Sequence, residues 1–342
     1  MKKFKIYFVF EFTDKPKGGV FQFTKALKDY CDNLGYVTKN PQEADIFYIS
    51  AFQYVNKILE FKYKYPNKIF VHRIDGPIRL YNRMSDIRDD IVNLLNKKVA
   101  DATIFQSQWS KKYSKKMGIL DKQYETTILN APNPDIFNSK DKIPFSKNRK
   151  VKLIATSWSS NWKKGFETYK WLDENLDFSK YEFTFVGNTP IKFNNIIYKE
   201  PMDSISLARE LKQHDIFITA SQKDPCSNSL IEAMHCGLPA IVLNDGGHPE
   251  IIGDGGETFN KNEEIIDKLE KIVKNYVMYQ QKINLPTMDE VANKYLSFFE
   301  SLLYIKKTQK ISKIEKIMIE TYFKYLKLKG IVLILNKYFG KL

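Results

Sequence analysis

The run from Thr219 to Gly256, TASQKDPCSNSLIEAMHCGLPAIVLNDGGHPEIIGDGG, gathers the residues best suited to chemistry. Its pattern predicts a strand ending at Thr219-Ala220, a polar loop, and a helix that begins near Ser229 with Glu232 in its first turn. A loop feeding a helix N-terminus presents unpaired backbone N–H groups and the positive end of the helix dipole, a ready site for phosphate. Glu232 can accept hydrogen bonds from paired hydroxyls such as those of a ribose, and Asp224, eight residues earlier on the loop, can touch a second polyol. Cys236-Gly237-Leu238-Pro239 ends the helix as a glycine stop followed by proline. Beyond the next strand, Asp245-Gly246-Gly247-His248-Pro249-Glu250 is a glycine turn through which backbone can approach a ligand.

Other positions offer weaker signals. Gly18-Gly19 stands between an opening strand and the helix Phe21–Leu34, where adjacent glycines permit close approach to an anionic or sugar ligand or serve only as a flexible turn. Ser157-Trp158-Ser159-Ser160-Asn161-Trp162-Lys163-Lys164-Gly165 follows another strand, as does His72-Arg73-Ile74-Asp75-Gly76-Pro77. His214, His235 and His248 lack the ligand spacing of a zinc site, and no Asp-x-Asp triplet occurs.

These residues need a scaffold of alternating strands and helices, the mark of α/β units around parallel sheets. Lys5–Phe12, Ala44–Ile49, Lys68–Arg73 and Ala102–Gln106 read as strands of a first domain, with helices at Phe21–Leu34 and Ser85–Val99. The stretch from Pro132 to about Arg149, rich in Pro, Asn, Lys and Ser, reads as a linker. The pattern restarts with strands Val151–Thr156, Glu182–Gly187, Ile196–Tyr198, Asp215–Thr219 and Ala240–Asn244, and with helices Phe166–Leu176, Ser204–Gln213 and Ser229–Cys236. The expected architecture is α/β: two Rossmann-like doubly wound domains, 1–148 and 149–304, facing across a cleft at their strands' carboxyl ends. A helix at Met288–Tyr304 closes the second domain, and a basic helical tail, 305–342, follows.

Length and charge agree with this division. A chain of 342 residues suggests about two domains, and 43% apolar with 14% aromatic content supports sizeable cores. Lys and Arg exceed Asp and Glu by 54 to 40, a net +14, which favours phosphate-rich partners. Residues 306–342 alone hold ten Lys against Glu315 and Glu320. In that tail Ile311, Ile314, Met318, Tyr322, Tyr325 and Val332 recur at helical steps, which suits an anionic membrane surface, a partner, or the protein's own body. Three cysteines without C-x-x-C spacing indicate a reduced, cytoplasmic protein, peripheral on the inner leaflet if the tail meets lipid. The N-terminal apolar run is broken by Lys5 and Glu11 and reads as a buried strand rather than a leader.

The motifs at 219–256 resemble the donor-binding signature of family-4-type glycosyltransferases of group 1, which have the GT-B fold: an acidic residue, seven residues, Glu, then A-M-x-C-G-x-P and later G-G-x-P-E. The resemblance implies that Glu232 binds the ribose of a nucleotide sugar, that Asp224 lies against the donor sugar, and that the backbone of Ser227, Asn228 and Ser229 cradles the diphosphate. It implies a diphosphate-binding role for Lys164, with Lys163 sharing it, although the Arg usual before Lys-Gly is missing. It sets Gly187-Asn188 beside the base, Gly18-Gly19 opposite the donor phosphate, and either His72 or Asp75 beside the reacting sugar, with Arg73 and Arg79 near an anionic acceptor. Asp224-Pro225-Cys226-Ser227 departs from the usual Glu followed by glycines.

The expected function is retaining, metal-independent transfer of a sugar from a nucleotide-diphosphate donor to a hydroxyl of a glycan or glycolipid. The donor is a co-substrate; no cofactor and no metal are expected. No protein nucleophile is then required. A nucleotide-sugar hydrolase or epimerase of the same fold is the nearer alternative. A nucleic-acid-binding role fits poorly, because the basic excess sits in the tail and the aromatics fill core positions.

Overall fold

The computed structural model describes residues 3–13, 18–304 and 308–339, and for 331–339 the backbone alone. The chain divides into two compact units, the first made of Met1–Thr13, Leu27–Leu129 and Asp289–Leu342, the second of Asp14–Ala26 and Asn130–Met288.

In the first unit a parallel sheet runs in chain order through β1 (Ile6–Phe8), β2 (Ile46–Ser50), β3 (Ile69–Ile74), β4 (Ala102–Phe105) and β5 (Glu125–Thr127). Every residue of β2, β3 and β4 is buried, as expected of strands covered on both faces. The helices are α1 (Gly19–Asn33), which opens in the second unit, then α2 (Val55–Lys64), α3 (Ile78–Tyr81), α4 (Arg88–Lys98) and α5 (Gln108–Lys116). Ser107 caps α5, its hydroxyl accepting from the Ser110 amide at 2.8 Å. A buried ion pair ties α2 to the sheet: Lys62 Nζ donates to Asp101 at 2.9 Å, and the same carboxylate oxygen accepts from the Phe70 amide at 2.8 Å.

The second unit's sheet has the order β11-β10-β9-β6-β7-β8, all parallel, from β6 (Val151–Ser157), β7 (Tyr181–Gly187), β8 (Ile197–Lys199), β9 (Ile216–Thr219), β10 (Ala240–Leu243) and β11 (Gly256–Phe259). The chain winds outward from β6 through β8, returns to the other side of β6 as β9, and winds outward again. That reversal makes the sheet doubly wound and puts its switch point at the carboxyl ends of β6 and β9. The helices are α6 (Phe166–Asn175), α7 (Ser204–Lys212), α8 (Asn228–His235), α9 (His248–Ile252), α10 (Glu264–Lys274) and α11 (Tyr276–Gln281). Asp203 caps α7, accepting from the Ile205 and Ser206 amides at 2.9 and 3.0 Å. The stretch expected to be a linker packs onto this unit instead: Phe145 stacks on Tyr276 with ring centroids 4.1 Å apart, and Arg149 forms a two-pronged ion pair with the buried Asp215.

Two boundaries differ from the sequence expectation. Helix α12 (Met288–Leu302), expected to close the second domain, belongs after its first residue to the first unit. There Tyr295 is buried with its ring 6.4 Å from that of Tyr48, and Tyr30 donates to the Asp289 carboxylate. The tail helix α13 (Lys313–Phe339) is no free appendage either, since Ile319, Phe323 and Leu326, with Ile311 ahead of the helix, pack into the first unit's core against α2 and α4. An amphipathic period shows that a face will be buried but not which body buries it. Lys306, Lys307 and Lys341 and the Val332 and Lys337 side chains lie outside the described residues.

Candidate active site

Two loops meet at the second unit's switch point. The loop after β6 makes a 3₁₀ turn, Trp162–Lys164, capped by the Asn161 side chain, which accepts from the Lys163 amide at 3.0 Å. The loop after β9 is bound to it, the Gln222 amide donating to the Lys163 carbonyl at 2.8 Å. That contact carries Lys164 to Asp224, with Nζ 2.9 Å from Oδ2. Ser221 Oγ lies 3.3 Å from the same oxygen, and the Cys226 amide donates to Oδ1 at 3.3 Å. Burial opposes the charge on Asp224, but the Lys164 ammonium, His248 and the Cys226 amide together outweigh it and hold the carboxyl below its ordinary range.

The glycine turn at 245–247 serves this loop rather than presenting backbone to a ligand. Gly246 has φ +66°, and a Cβ there would overlap the Asp224 carbonyl oxygen, while the Gly247 amide donates to that oxygen at 2.9 Å. Asp245 accepts from the Lys223 amide at 3.0 Å and from Lys223 Nζ at 2.9 Å. The result is a loop of fixed shape that delivers the chain to Ser227 and the start of α8.

At the start of α8, the amides of Asn228, Ser229 and Leu230 lie before the first intrahelical donor, Ile231, whose N–H bonds the Ser227 carbonyl at 3.1 Å. The Asn228 side chain accepts from Asn130 Nδ2 at 2.9 Å and packs against Gly19, so the first turn of α1 abuts the first turn of α8. Gly18 lies close to Trp158, half exposed, as is Trp162. One helical turn into α8, Glu232 is half-buried and, among the described residues, no donor meets its carboxylate. Loss of hydration pushes its pKa up to about 8. A carboxylate that meets no donor among the described residues can take paired hydroxyls, and the helix-terminal amides one turn before it, with Lys164 on the neighbouring loop, can take a diphosphate.

Of the residues singled out in the sequence, Lys163, Lys164, Asp224, Ser227, Asn228, Ser229, Glu232, Gly18 and Gly19 are brought into one neighbourhood of the second unit. Gly187 and Asn188 have other work. Gly187, with φ +128°, leaves room for the Ser157 carbonyl of the adjacent strand, and Asn188 donates to Ser157 O at 2.9 Å and to Trp158 O at 2.6 Å. They hold the β6 loop in place through the Asn188 amide and side-chain N–H groups.

In the first unit, the choice between His72 and Asp75 resolves against His72. The histidine is fully buried in β3 with Nε2 2.8 Å from the Ala51 carbonyl oxygen, and burial lowers its pKa to about 4. It is a neutral core residue. Asp75 is partly exposed and pairs with the fully buried Arg73, which also donates to Gln106 Oε1 at 2.7 Å. Arg79 is committed to Asp90 at 2.7 Å and to the Asp86 carbonyl at 2.9 Å. Arg73 and Arg79 are therefore structural cations rather than acceptor ligands.

Sequence reasoning gave no side-chain role at this site to Asn130, Ser221 or His248. His248 is fully buried, with Nδ1 3.2 Å from the Leu243 carbonyl oxygen and no partner for Nε2 among the described residues. Its place in the G-G-x-P-E turn was the available signal. Among the described residues, no group of three or more His, Cys, Asp or Glu side chains is arranged to hold a metal ion.

The fold is GT-B. The structure superimposes on a glycosyltransferase from Rickettsia africae with TM-score 0.58 and 16% identity, covering 86% of this chain and 85% of that one. It matches Anabaena HepE, solved in complex with UDP-glucose, with TM-score 0.58 and 15% identity over 94% and 99% of the two chains. Residues 193–284 match the family described as Glycosyl transferases group 1, so the resemblance read from the motifs holds. A probable sucrose-phosphate synthase from Thermosipho melanesiensis is 25% identical over 191 residues, 49% of this chain and 45% of that protein. The chain thus spans less than half the length of the curated relatives it matches.

Proposed function

We propose that the protein is a retaining glycosyltransferase that moves a hexose from a nucleotide-diphosphate sugar to a hydroxyl of a glycan or glycolipid on the cytoplasmic side of the cell. The observation that carries this reading is the meeting of Lys164, Asp224 and the first turn of α8 at the switch point, one helical turn from the unpartnered Glu232. Glu232 takes the ribose hydroxyls, the α8 amides and Lys164 take the diphosphate, and Asp224 faces the sugar. As the anomeric carbon–oxygen bond breaks, negative charge gathers on the leaving diphosphate, where fixed donors contribute most. The acceptor oxygen bonds to the anomeric carbon from the same face, and its proton passes to a phosphate oxygen. Lys164 and the amides supply the positive charge, so the reaction proceeds without a metal. The UDP-glucose bound by HepE makes that donor the first to try.

A thermal-shift panel of UDP-, GDP- and ADP-sugars tests donor binding, since a ligand at 100 times its dissociation constant adds about 2.7 kcal/mol of stability. One donor is expected to raise the melting temperature, and Glu232→Ala to abolish that rise and the transfer. A flat response to the whole panel refutes the reading. Activity unchanged by EDTA supports metal independence, and product formed from donor alone would instead indicate a hydrolase or epimerase.

A further inference from the structure

Helix α13 is apolar on two sides. Its inner stripe, Ile319, Phe323 and Leu326, is buried in the first unit's core. A second stripe, Ile314, Met318, Tyr322, Tyr325 and Leu328, climbs the neighbouring, exposed face at the same three- and four-residue steps. With Ile317, these side chains are between 45% and 71% exposed. The inner stripe accounts for the docking of the helix. The outer one does nothing for folding, and six large apolar side chains exposed within fifteen residues form a surface that awaits a partner.

The charges around the stripe select that partner. Its two acids are already matched, Glu320 by Lys316 at 3.6 Å and Glu315 by Lys98 at 4.0 Å. Lys313, Lys324, Lys327 and Lys329 are exposed and pair with no carboxylate among the described residues. Tyr322 and Tyr325, with stacked rings 6.1 Å apart, put phenolic groups among the aliphatic ones. Aliphatic groups for the acyl boundary, tyrosines for headgroup depth and lysine stems that reach phosphates are the composition of a helix lying in an anionic lipid interface. Among the described residues no helix is long and apolar enough to cross a membrane, so this one would lie along the surface.

We propose that the outer face of α13 docks the protein on an anionic bilayer. The proposal is independent of the donor site. It is tested by sedimenting the full chain with vesicles of equal parts phosphatidylglycerol and phosphatidylcholine, and with vesicles of phosphatidylcholine alone. The chain is expected to bind the anionic vesicles and to be released by high salt. Met318→Glu with Tyr325→Glu should lower partitioning more than about tenfold, and Lys324→Glu with Lys327→Glu should do the same, since each surface lysine is worth about fivefold. Both pairs should leave the melting temperature near that of the parent, because the altered side chains are exposed. Equal binding to both vesicle types, absence of binding, or binding unmoved by salt overturns the proposal without recourse to a variant. Binding unchanged in folded variants also overturns it. So does a vesicle-free dimer that the Met318/Tyr325 pair converts to monomer, which would give the stripe to a second copy of the chain.

Discussion

Donor binding at neutral pH should expel a proton from Glu232. With its pKa at about 8, the empty site is about nine-tenths protonated at pH 7, whereas a carboxylate accepting two ribose hydroxyls must be ionised. Affinity for UDP-glucose should therefore climb about tenfold per pH unit up to about pH 8 and then level off. The sugar nucleotide is the right probe because its diphosphate has no free phosphate monoester to titrate in that range. Calorimetry at pH 7 in buffers of different ionisation enthalpy should count about 0.9 protons released. The same group imprints stability. Below its ordinary value of 4.5 both folded and unfolded chains carry the proton. As pH rises, the unfolded chain ionises first, so the native state loses about 1.4 kcal/mol per pH unit until about 8, about 5 kcal/mol in all. Glu232→Gln should remove this loss and melt higher than the parent at pH 9, while binding donor weakly. Tight donor binding with no proton released and no pH dependence between 6 and 9 would refute the assignment of Glu232 to the ribose.

Other perturbations separate chemistry from scaffolding. Lys164→Ala should cut kcat by about 100- to 1000-fold, measured by product formation at saturating donor, because it removes a fixed cation from the leaving group. Asp101→Ala should destabilise the chain by about 3–5 kcal/mol in denaturant titrations, because Lys62 is then left buried and unpaired. His72 should show itself only in acid stability. Its folded-state pKa of about 4 lies below the ordinary 6.5, so stability is full above 6.5 and falls by about 3 kcal/mol as pH drops to about 4. His72→Gln should flatten that slope in thermal melts.

The sequence by itself determined most of the second unit's elements and the residues proposed for the donor side. Strand and helix periods located β2, β3, β6, β7, β9 and β10, with α6, α7 and α8, to within a residue or two, because buried parallel strands and amphipathic helices write their period into consecutive residues, whereas α2 and α5 went unread. The Asp224-to-Glu232 spacing was legible for a similar reason, since loop, cap and first turn are contiguous. Groups that meet through space left no such mark. The ion pair of Lys164 with Asp224 and the service of Gly246 to the Asp224 carbonyl depend on the switch in strand order. The burial of His72 and Arg73 depends on both faces of the sheet being covered. The tail shows the division most plainly. Its sequence specified a basic helix with apolar residues at helical steps, but only packing decided that Ile319, Phe323 and Leu326 turn inward while Met318, Tyr322 and Tyr325 face out. Hydrophobic period is a property of one helix, whereas burial is a property of the surface against which that helix comes to rest.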